Sequence, residues 1–516
     1  MAEDMRPLRN YKDAIRALNA LQLNYALIEA TRKLGPNVDR NQLLINEVYE
    51  YCRRLGYQPQ DFDRLNIIHV TGTKGKGLTC AFAELILGQY RGHGRILKVG
   101  LFTLPHLKLV RERIRIDGAP ISELKFARYF FEVYDKLSLT TSDPNEFPTL
   151  QPSNEVKPMY FKYLTLLLFH VFMSEGVDTA IYEVGVGGEY DSTNIIQHPT
   201  ATGISTLGID HTFMLGDNIK LITWNKTGIF KQGSPAFVSP QPEYPDLIPI
   251  IEERAKERQV SELVFVDPDQ VLPPDQKLGL AGDFQRNNAA LAVSLVDAHL
   301  RKLGYQGDDV IEDGHLPDQF SEGLAKAEWP GRCQTILNKP ERINWYIDGA
   351  HTLELMAQLL RWFVQQMEPK KKQGLRVLLF NQQLRENADD LLVTLYNTVY
   401  PNCKFDHVIF TTNITWSDGK YDDDLVLMNT LKKQVDEMVI QKQLAQVWAL
   451  RDASTGNNSR KHIFPDIETG VNFIKLLTSL PDYAPAASGE VDVFVCGSLH
   501  LVGGFLVVLD GDKEQA

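Results

Sequence analysis

Residues 66–90 (NIIHVTGTKGKGLTCAFAELILGQY) constrain the fold of this chain more than any other segment. Apolar and β-branched residues around His69 predict a short buried strand, and the helical spacing of the apolar residues from 78 to 87 predicts a helix. Three glycines and two lysines separate these two elements. A strand, a glycine-rich loop and a helix in this order are typical of phosphate binding, because backbone N–H groups, the helix N-terminus and a lysine can all face the anion.

The loop departs from the Walker pattern G-x-x-x-x-G-K-[ST]. Lys76 is followed by a glycine and not by a hydroxyl residue, so the match is to a shorter form, G-T-x-G-K-G. A glycine-rich turn that binds nothing is the alternative, but two lysines in such a turn are hard to explain without an anion. We therefore predict that the loop binds the phosphates of a nucleotide through Gly72, Thr73, Lys74, Gly75, Lys76 and Gly77.

The composition is typical of an acidic globular enzyme. A length of 516 residues argues for more than one domain, and the formal net charge of -12 gives no basic surface for nucleic acid. The five scattered cysteines include no C-x-x-C pair, so we predict neither a disulfide framework nor a zinc site. The longest apolar run, residues 163–173, is too short to span a bilayer. We expect a cytoplasmic monomer with no membrane or nucleic-acid partner; the N-terminus has no clear presequence, and a mitochondrial pool is the alternative.

Ionisable side chains stand at the carboxyl ends of two predicted strands. Glu183 ends a strand at residues 178–183, and Asp210 and His211 follow a strand at residues 202–207. Open parallel sheets bind ligands at this edge, and a carboxylate there can hold a metal ion. The alternative for Asp210 is a helix N-cap, and one residue can serve both purposes.

A basic segment follows the second predicted strand, residues 95–103. The alternation of apolar residues from 110 to 116 predicts a further strand that carries Arg111, Arg113 and Arg115 on its opposite face. A solvated charged face is the commoner explanation of such arginines. A pocket for an anionic substrate is the alternative, because the segment comes soon after the phosphate loop.

The alternation of predicted strands and helices indicates an α/β fold with two domains. Residues 304–328 show little periodicity and many turn-forming residues, which predicts a linker, and the β/α pattern restarts at residue 345. We place an N-terminal P-loop-type ATPase domain with a mostly parallel sheet at residues 1–315. We place a C-terminal Rossmann-like α/β domain at residues 316–516.

The chain resembles the folylpolyglutamate synthases, which are ADP-forming amide ligases related to the bacterial Mur ligases. The resemblance covers nearly the whole chain and depends on ordered sequence blocks. These are GTKGKG at 72–77, PHL at 105–107, RERI at 111–114, EVGVGG at 183–188, DSTN at 191–194, LGIDH at 207–211, KTGIFK at 226–231, WPGR at 329–332, DGAHT at 348–352 and GSLHLVGG at 497–504.

The resemblance implies a reaction in which ATP phosphorylates a carboxylate of a reduced folate and L-glutamate attacks the acyl phosphate. It implies that Glu183 and His211 bind two Mg²⁺ ions and that Lys226 is carbamylated to become an anionic metal ligand; a monovalent cation is a further option. The implied catalytic residues are Lys76, Lys226, His211, Asp348 and His351. Besides the phosphate loop, the implied nucleotide contacts are Gln285, Asn288, Arg332 and Asp348, and their placement on both domains implies closure around the substrate.

Several motif positions depart from the pattern of that family. Leu78 and Leu104 stand where serine is usual, and Phe284 and Asn225 stand where histidine is usual. Thr79 and Thr103 are hydroxyl residues next to the two leucines. Two alternatives to a folate ligase follow: a divergent paralogue that joins an amino acid to another carboxylic acid, and a nucleotide-binding relative that has lost turnover.

Overall fold

The computed structural model describes residues 9–23, 40–282, 284–312, 314–368, 374–383, 387–400, 402–420, 423–425, 435, 437–478 and 490–511. The chain divides into two compact units. The first comprises the residues up to 106, 111–279 and 284–328, and the second comprises residues 107–110, 280–283 and those from 329 onward.

In the described part of the first unit, eight strands form one mostly parallel sheet. Its order is β4-β3-β2-β5-β1-β6-β7-β8, and its antiparallel pairs, β2 with β3 and β3 with β4, lie at one edge. The strands are β1 (Ile67–Thr71), β2 (Val99–Phe102), β3 (Ile114–Ile116), β4 (Ala119–Pro120), β5 (Thr179–Glu183), β6 (Ala201–Ile204), β7 (Ala236–Val238) and β8 (Leu263–Phe265).

The helices of the first unit are α1 (Tyr11–Ala20), α2 (Arg40–Leu55), α3 (Lys76–Gln89), α4 (Glu123–Leu139), α5 (Tyr160–Glu175), α6 (Thr212–Leu215), α7 (Ile219–Lys226), α8 (Ile248–Glu257), α9 (Pro268–Val271), α10 (Gln285–Lys302) and α11 (Asp318–Ala325). All residues of β1 and β5 are buried, as expected for central strands of a parallel sheet. The predicted strand, loop and helix of residues 66–90 are therefore present, with α3 starting at Lys76 and packing against α10 and α11.

The boundary between the units lies later than residue 315. Residues 316–328 were expected to belong to a linker and to the second domain, but they include α11, which packs on α3. A Cβ atom on Gly323 would lie 2.6 Å from the Cα of Ile86, so the two helices approach at backbone distance. Phe320 and Leu324 are fully buried in the same helix. The first unit therefore extends to Glu328.

Two predicted strands are shorter in the structure. The strand expected at residues 95–103 covers only Val99–Phe102, because the backbone N–H groups of Leu97 and Lys98 donate to the carboxylate of Asp178 and not to a neighbouring strand. The strand expected from residue 110 begins only at Ile114. Residues Val110–Arg113 form a 3₁₀ turn before it.

In the second unit, six described strands form a sheet in the order β13-β12-β11-β14-β10-β9, with only β9 antiparallel. The strands are β9 (Gln334–Asn338), β10 (Ile343–Asp348), β11 (Leu375–Phe380), β12 (His407–Thr411), β13 (Arg460–Phe464) and β14 (Val491–Cys496). The helices are α12 (Leu353–Met367), α13 (Ala388–Val399), α14 (Val439–Thr455), α15 (Ile467–Leu477) and α16 (Leu499–Asp510).

The last strand of the second unit, β14, lies between β10 and β11. After β10, the chain places β11, β12 and β13 successively further toward one edge of the sheet. It then returns to place β14 next to β10, and this change of direction is the strand-order reversal of a doubly wound sheet. Trp345, Val493 and Phe505 belong to its buried core. None of the helices in the described part of the chain has both the length and the apolar character that crossing a bilayer requires.

Candidate active site

The phosphate loop joins β1 to α3 and is held by the end of β6. The backbone N–H groups of Thr73 and Lys74 both donate to the carbonyl of Thr206, at 2.9 and 3.0 Å. Gly75 precedes α3 in the left-handed conformation, with φ 83°. The first N–H groups of α3, beginning at Lys76, have no acceptor within the helix. They are therefore placed to receive an anion, together with the partial positive charge of the helix N-terminus.

Gln285 and Asn288, at the start of α10, lie beside this loop. The side-chain amide of Asn288 donates to Gln285 Oε1 at 3.0 Å, and both residues are buried. A Cβ atom on Gly75 would lie only 2.1 Å from Asn288 Oδ1. Glycine at this position therefore provides both the left-handed backbone and the space for Asn288.

Glu183 ends β5 and pairs in register with Val70 of β1. Its Oε2 atom accepts hydrogen bonds from the hydroxyl of Thr103 at 2.6 Å and from the backbone N–H of Leu104 at 2.9 Å. A Cβ atom on Gly77 would lie 3.2 Å from the same oxygen. The structure therefore brings the predicted acidic residue to the start of α3.

The oxygen atoms around Glu183 fit a magnesium ion that is held mainly by phosphates. Among the described residues, no group of three or more His, Cys, Asp or Glu side chains could hold a metal ion alone. Mg²⁺ commonly needs only one or two protein carboxylates, with phosphates and water completing its six ligands. Thr103 brings a hydroxyl to the carboxylate, whereas the hydroxyl of Thr79 is buried without a hydrogen-bond partner. The choice between these two threonines could not be made from sequence.

Lys226 ends α7, and its amine reaches the phosphate loop. Nζ donates to the carbonyl of Gly72 at 2.7 Å, and the residue is 3% exposed. Burial and, secondarily, the charge of Lys76 lower the pKa of Lys226 well below its usual value. A neutral amine is nucleophilic, which is the property that reaction with carbon dioxide requires.

Asp210 and His211 follow β6 at the border of the loop. Gly208 packs close to the side chain of Lys74, with 3.6 Å between its Cβ position and Lys74 Cε. The N-cap of α6 is His211, not Asp210, and His211 adopts a left-handed conformation with φ 51°. Asp210 Oδ1 accepts the backbone N–H of His211 at 2.8 Å, and the imidazole is 45% exposed.

Arg113 is buried, which favours the anionic-pocket interpretation over a solvated face. Its Nε donates to His106 Nδ1 at 2.8 Å, its guanidinium lies 5.7 Å from the ring centre of Tyr160, and its Nη1 is buried without a hydrogen-bond partner. Burial lowers the pKa of Arg113, and nearby charges, Glu183 among them, oppose this effect. Arg115 differs, because it pairs with Glu84 at 3.2 Å.

Three predicted site residues belong to the second unit. Asp348 ends β10, and its carboxylate accepts backbone N–H groups of Cys333 and Ala350 at 2.8 and 2.7 Å. Arg332 Nη1 lies 3.8 Å from Asp348 Oδ1. Burial raises the pKa of Asp348, although Arg332 and the two N–H groups oppose this. His351 is half-buried in the turn before α12.

Curated proteins similar to this chain over nearly its whole length are folylpolyglutamate synthases. A scan against models of protein families produced no match. The chain is 57% identical to the folylpolyglutamate synthase of Candida albicans over 518 residues, covering 98% of this chain and 97% of that protein. It is 48% identical to the folylpolyglutamate synthase of Saccharomyces cerevisiae strain YJM789 over 505 residues, covering 97% and 87%.

A solved structure has the same architecture. The folylpolyglutamate synthase of Mycobacterium tuberculosis, complexed with ADP and AMPPCP, matches with a TM-score of 0.66 and 22% identity, covering 91% of this chain and 96% of that one. The predicted α/β fold class is therefore confirmed.

Proposed function

The chain belongs to the folylpolyglutamate synthase family, and we propose that it is the ATP-dependent ligase that adds L-glutamate to the γ-carboxylate of folates. The family resemblance predicted from the motifs is confirmed by these relatives. The observation in the structure that best supports the reaction is that two ionisable side chains, Lys226 and Glu183, meet at the phosphate loop. Lys226 Nζ lies 2.7 Å from the Gly72 carbonyl, and Glu183 lies beside Gly77.

The proposed chemistry has two steps. A carboxylate oxygen of the folate attacks the γ-phosphorus of ATP, ADP leaves, and an acyl phosphate forms. The amine of L-glutamate then attacks the acyl carbon, phosphate leaves with the electrons of the C–O bond, and the nitrogen loses a proton. The first step is needed because a carboxylate oxygen is a poor leaving group. Lys76, at the start of α3, would neutralise charge on the transferring phosphoryl group.

We propose that Glu183, with Thr103 beside it, holds Mg²⁺ together with the ATP phosphates. Bound Mg²⁺ would offset negative charge at the reacting phosphates. Lys226 as a carbamate, with His211, would complete a second ion site. The support for a carbamate is the burial of Lys226, which lowers the pKa of its amine and thereby favours the neutral, nucleophilic form.

Arg113 is proposed to bind a carboxylate of the folate. The support is its buried Nη1 without a partner and its electrostatic interaction with Glu183. Phe161, 5.6 Å from the guanidinium and 64% exposed, offers an aromatic face next to it. A charged carboxylate would give the guanidinium the partner that a buried cation needs.

Arg332, Asp348 and His351 are proposed as further contacts of the substrates. Asp348 and His351 stand at and just after the carboxyl end of β10, the edge of an open α/β sheet where ligands bind. Asp348 is held by two backbone N–H groups, so its carboxylate has a fixed orientation.

One assay tests the proposed function. Purified protein is incubated with ATP, Mg²⁺, L-glutamate and tetrahydrofolate, and the folate product is analysed by mass spectrometry. Successive additions of glutamate are expected. ATP consumption only with another carboxylic acid would instead support a divergent ligase, and nucleotide binding with no turnover would support a non-catalytic relative.

A further inference from the structure

Arg254 of α8 is a buried cation that none of the reaction steps above uses. Its side chain is 3% exposed, and its guanidinium lies 4.4 Å from the ring centre of Trp224 on α7. Nη2 donates to Glu189 at 2.5 Å, and Nη1 donates to Glu257 at 2.6 Å. The guanidinium therefore joins three segments: the end of α7, the turn that follows β5, and its own helix.

Arg254 contacts residues on both sides of Lys226, one in the last turn of α7 and one at its C-cap. Trp224 stands two residues before Lys226, and Thr227 follows it directly. The Thr227 hydroxyl donates to the Trp224 carbonyl at 2.8 Å and lies 3.4 Å from Arg254 Nε. A cation at this place is favourable because the last carbonyl groups of a helix carry partial negative charge.

The turn that contains Glu189 packs directly on the backbone around Lys226. A Cβ atom on Gly188 would lie 2.6 Å from the Lys226 carbonyl oxygen, and one on Gly228 would lie 2.4 Å from Glu189 Cα. The backbone N–H of Glu189 donates to the Asn225 carbonyl at 2.8 Å. The ion pair of Glu189 with Arg254 therefore joins two segments that already touch at backbone distance.

We propose that Arg254 is a positioning residue, which holds the end of α7 so that Lys226 stays at the phosphate loop. This role presupposes the function proposed above for Lys226. Arg254 itself would touch neither ATP nor folate. A misplacement of a reacting group by about 1 Å can cost roughly 100-fold in rate, so loosening this helix end is expected to slow turnover.

The test uses Arg254→Met in the full-length protein, because methionine keeps an apolar stem and removes the guanidinium. We expect kcat to fall about 10- to 100-fold, with the KM values for ATP and tetrahydrofolate changed by less than about threefold. Rates are measured far below the Tm of the variant. A purely structural role would lower the Tm and leave kcat per folded molecule unchanged, and that result would overturn the proposal.

Arg258→Met is the matched control. Arg258 also pairs with Glu189, but it stands at the C-cap of α8 and is 30% exposed. We expect its kcat to stay within about threefold of the wild type. An equal loss in both variants would mean that both cations paired with Glu189 are needed to the same degree, which would contradict a specific role for Arg254.

Two further variants keep the proposal testable if Arg254→Met folds poorly. Glu189→Gln removes the same ion pair and is expected to lower kcat by a similar factor. In the double variant, the losses of kcat seen in the two single variants should not add, because both act through one interaction. Arg254→Lys keeps the charge and is expected to restore part of kcat. Full kcat in Glu189→Gln, or additive losses in the double variant, would overturn the proposal.

Lys226→Met separates this inference from the proposed function. An inactive Lys226→Met together with a fully active Arg254→Met would overturn only the positioning role. Normal turnover in Lys226→Met would overturn the proposed role of Lys226, and a loss from Arg254→Met in that background would show that Arg254 does not act through Lys226.

Discussion

Burial determines the chemistry of Lys226 and gives the protein a pH dependence. Because the folded-state pKa of Lys226 is lowered, the unfolded chain binds more protons than the folded protein below the usual lysine pKa of 10.5. The contribution of Lys226 to the free energy of unfolding therefore becomes more favourable as pH rises from the lowered folded-state pKa toward 10.5. At neutral pH, the buried Lys226 lowers the free energy of unfolding. We attribute its presence to the role proposed for it in the reaction.

Lys226→Met should accordingly be more stable than the wild type at pH 7 in buffer free of carbon dioxide. The difference should shrink as pH rises toward and beyond 10.5, where the lysine loses its proton in the unfolded chain as well. Denaturant unfolding at several pH values measures it. Lys220→Met is the control, because this exposed lysine is on the same helix; a similar pH trend in the control would contradict the explanation.

Thr103 provides a hydroxyl next to Glu183, although the neighbouring Leu104 stands where serine is usual in the family. Thr103→Val retains the shape and removes the hydroxyl that donates to Glu183 at 2.6 Å. The Mg²⁺ concentration for half-maximal activity should rise about tenfold, the order seen when a group that orients a metal ligand is lost. A magnesium titration of the glutamate-adding activity measures this change.

Thr79→Val is the matched control for that titration. Its hydroxyl is buried and has no hydrogen-bond partner, so its removal should leave the magnesium dependence unchanged and should not lower stability. A magnesium shift in Thr79→Val, or none in Thr103→Val, would reverse the assignment of the two hydroxyls.

Among the elements, α3 offers two glycines with opposite expected responses to alanine, one at its N-cap and one near its end. Gly75, at its N-cap, has φ 83° and would place a Cβ 2.1 Å from Asn288 Oδ1, whereas Gly88 has no atom within 4 Å of its Cβ position. Gly75→Ala should destabilise the protein by about 1 kcal/mol or more and weaken nucleotide binding. Gly88→Ala should stabilise it by about 0.5–1 kcal/mol with binding intact.

Thermal unfolding and nucleotide titration measure both glycine variants. Equal effects on nucleotide binding would contradict a special place for Gly75. The same comparison explains why the sequence alone predicted the phosphate loop. Its glycines occupy positions where the backbone conformation or a neighbouring side chain excludes a Cβ atom.

For the whole molecule, the extent of the first unit has a direct test. A fragment of residues 1–328 keeps α11, whereas a fragment of residues 1–315 lacks it and exposes the surface of α3 on which α11 packs. Loss of the fully buried side chains of Phe320 and Leu324 should cost about 3–6 kcal/mol. The shorter fragment should therefore unfold at lower temperature or denaturant concentration, and equal midpoints would contradict the boundary at Glu328.

The sequence by itself determined the features that depend on local patterns of residues. The glycines and lysines of residues 72–77, between a buried strand and an apolar helix, indicated the phosphate loop. The ordered blocks along the chain indicated the family, and the β/α alternation indicated two α/β units. Such features depend on residues close together in the chain, so spacing and residue type are enough to predict them.

Only the tertiary structure decided which side chains meet and which are buried. Thr103 rather than Thr79 donates to Glu183, Arg113 is buried while Arg115 pairs with Glu84, and α11 packs on α3 rather than serving as a linker. The physical reason is separation along the chain. Lys226 and Gly72 are 154 residues apart and yet 2.7 Å from each other. The desolvation that sets the pKa of Lys226 arises from that packing and has no local signature in the sequence.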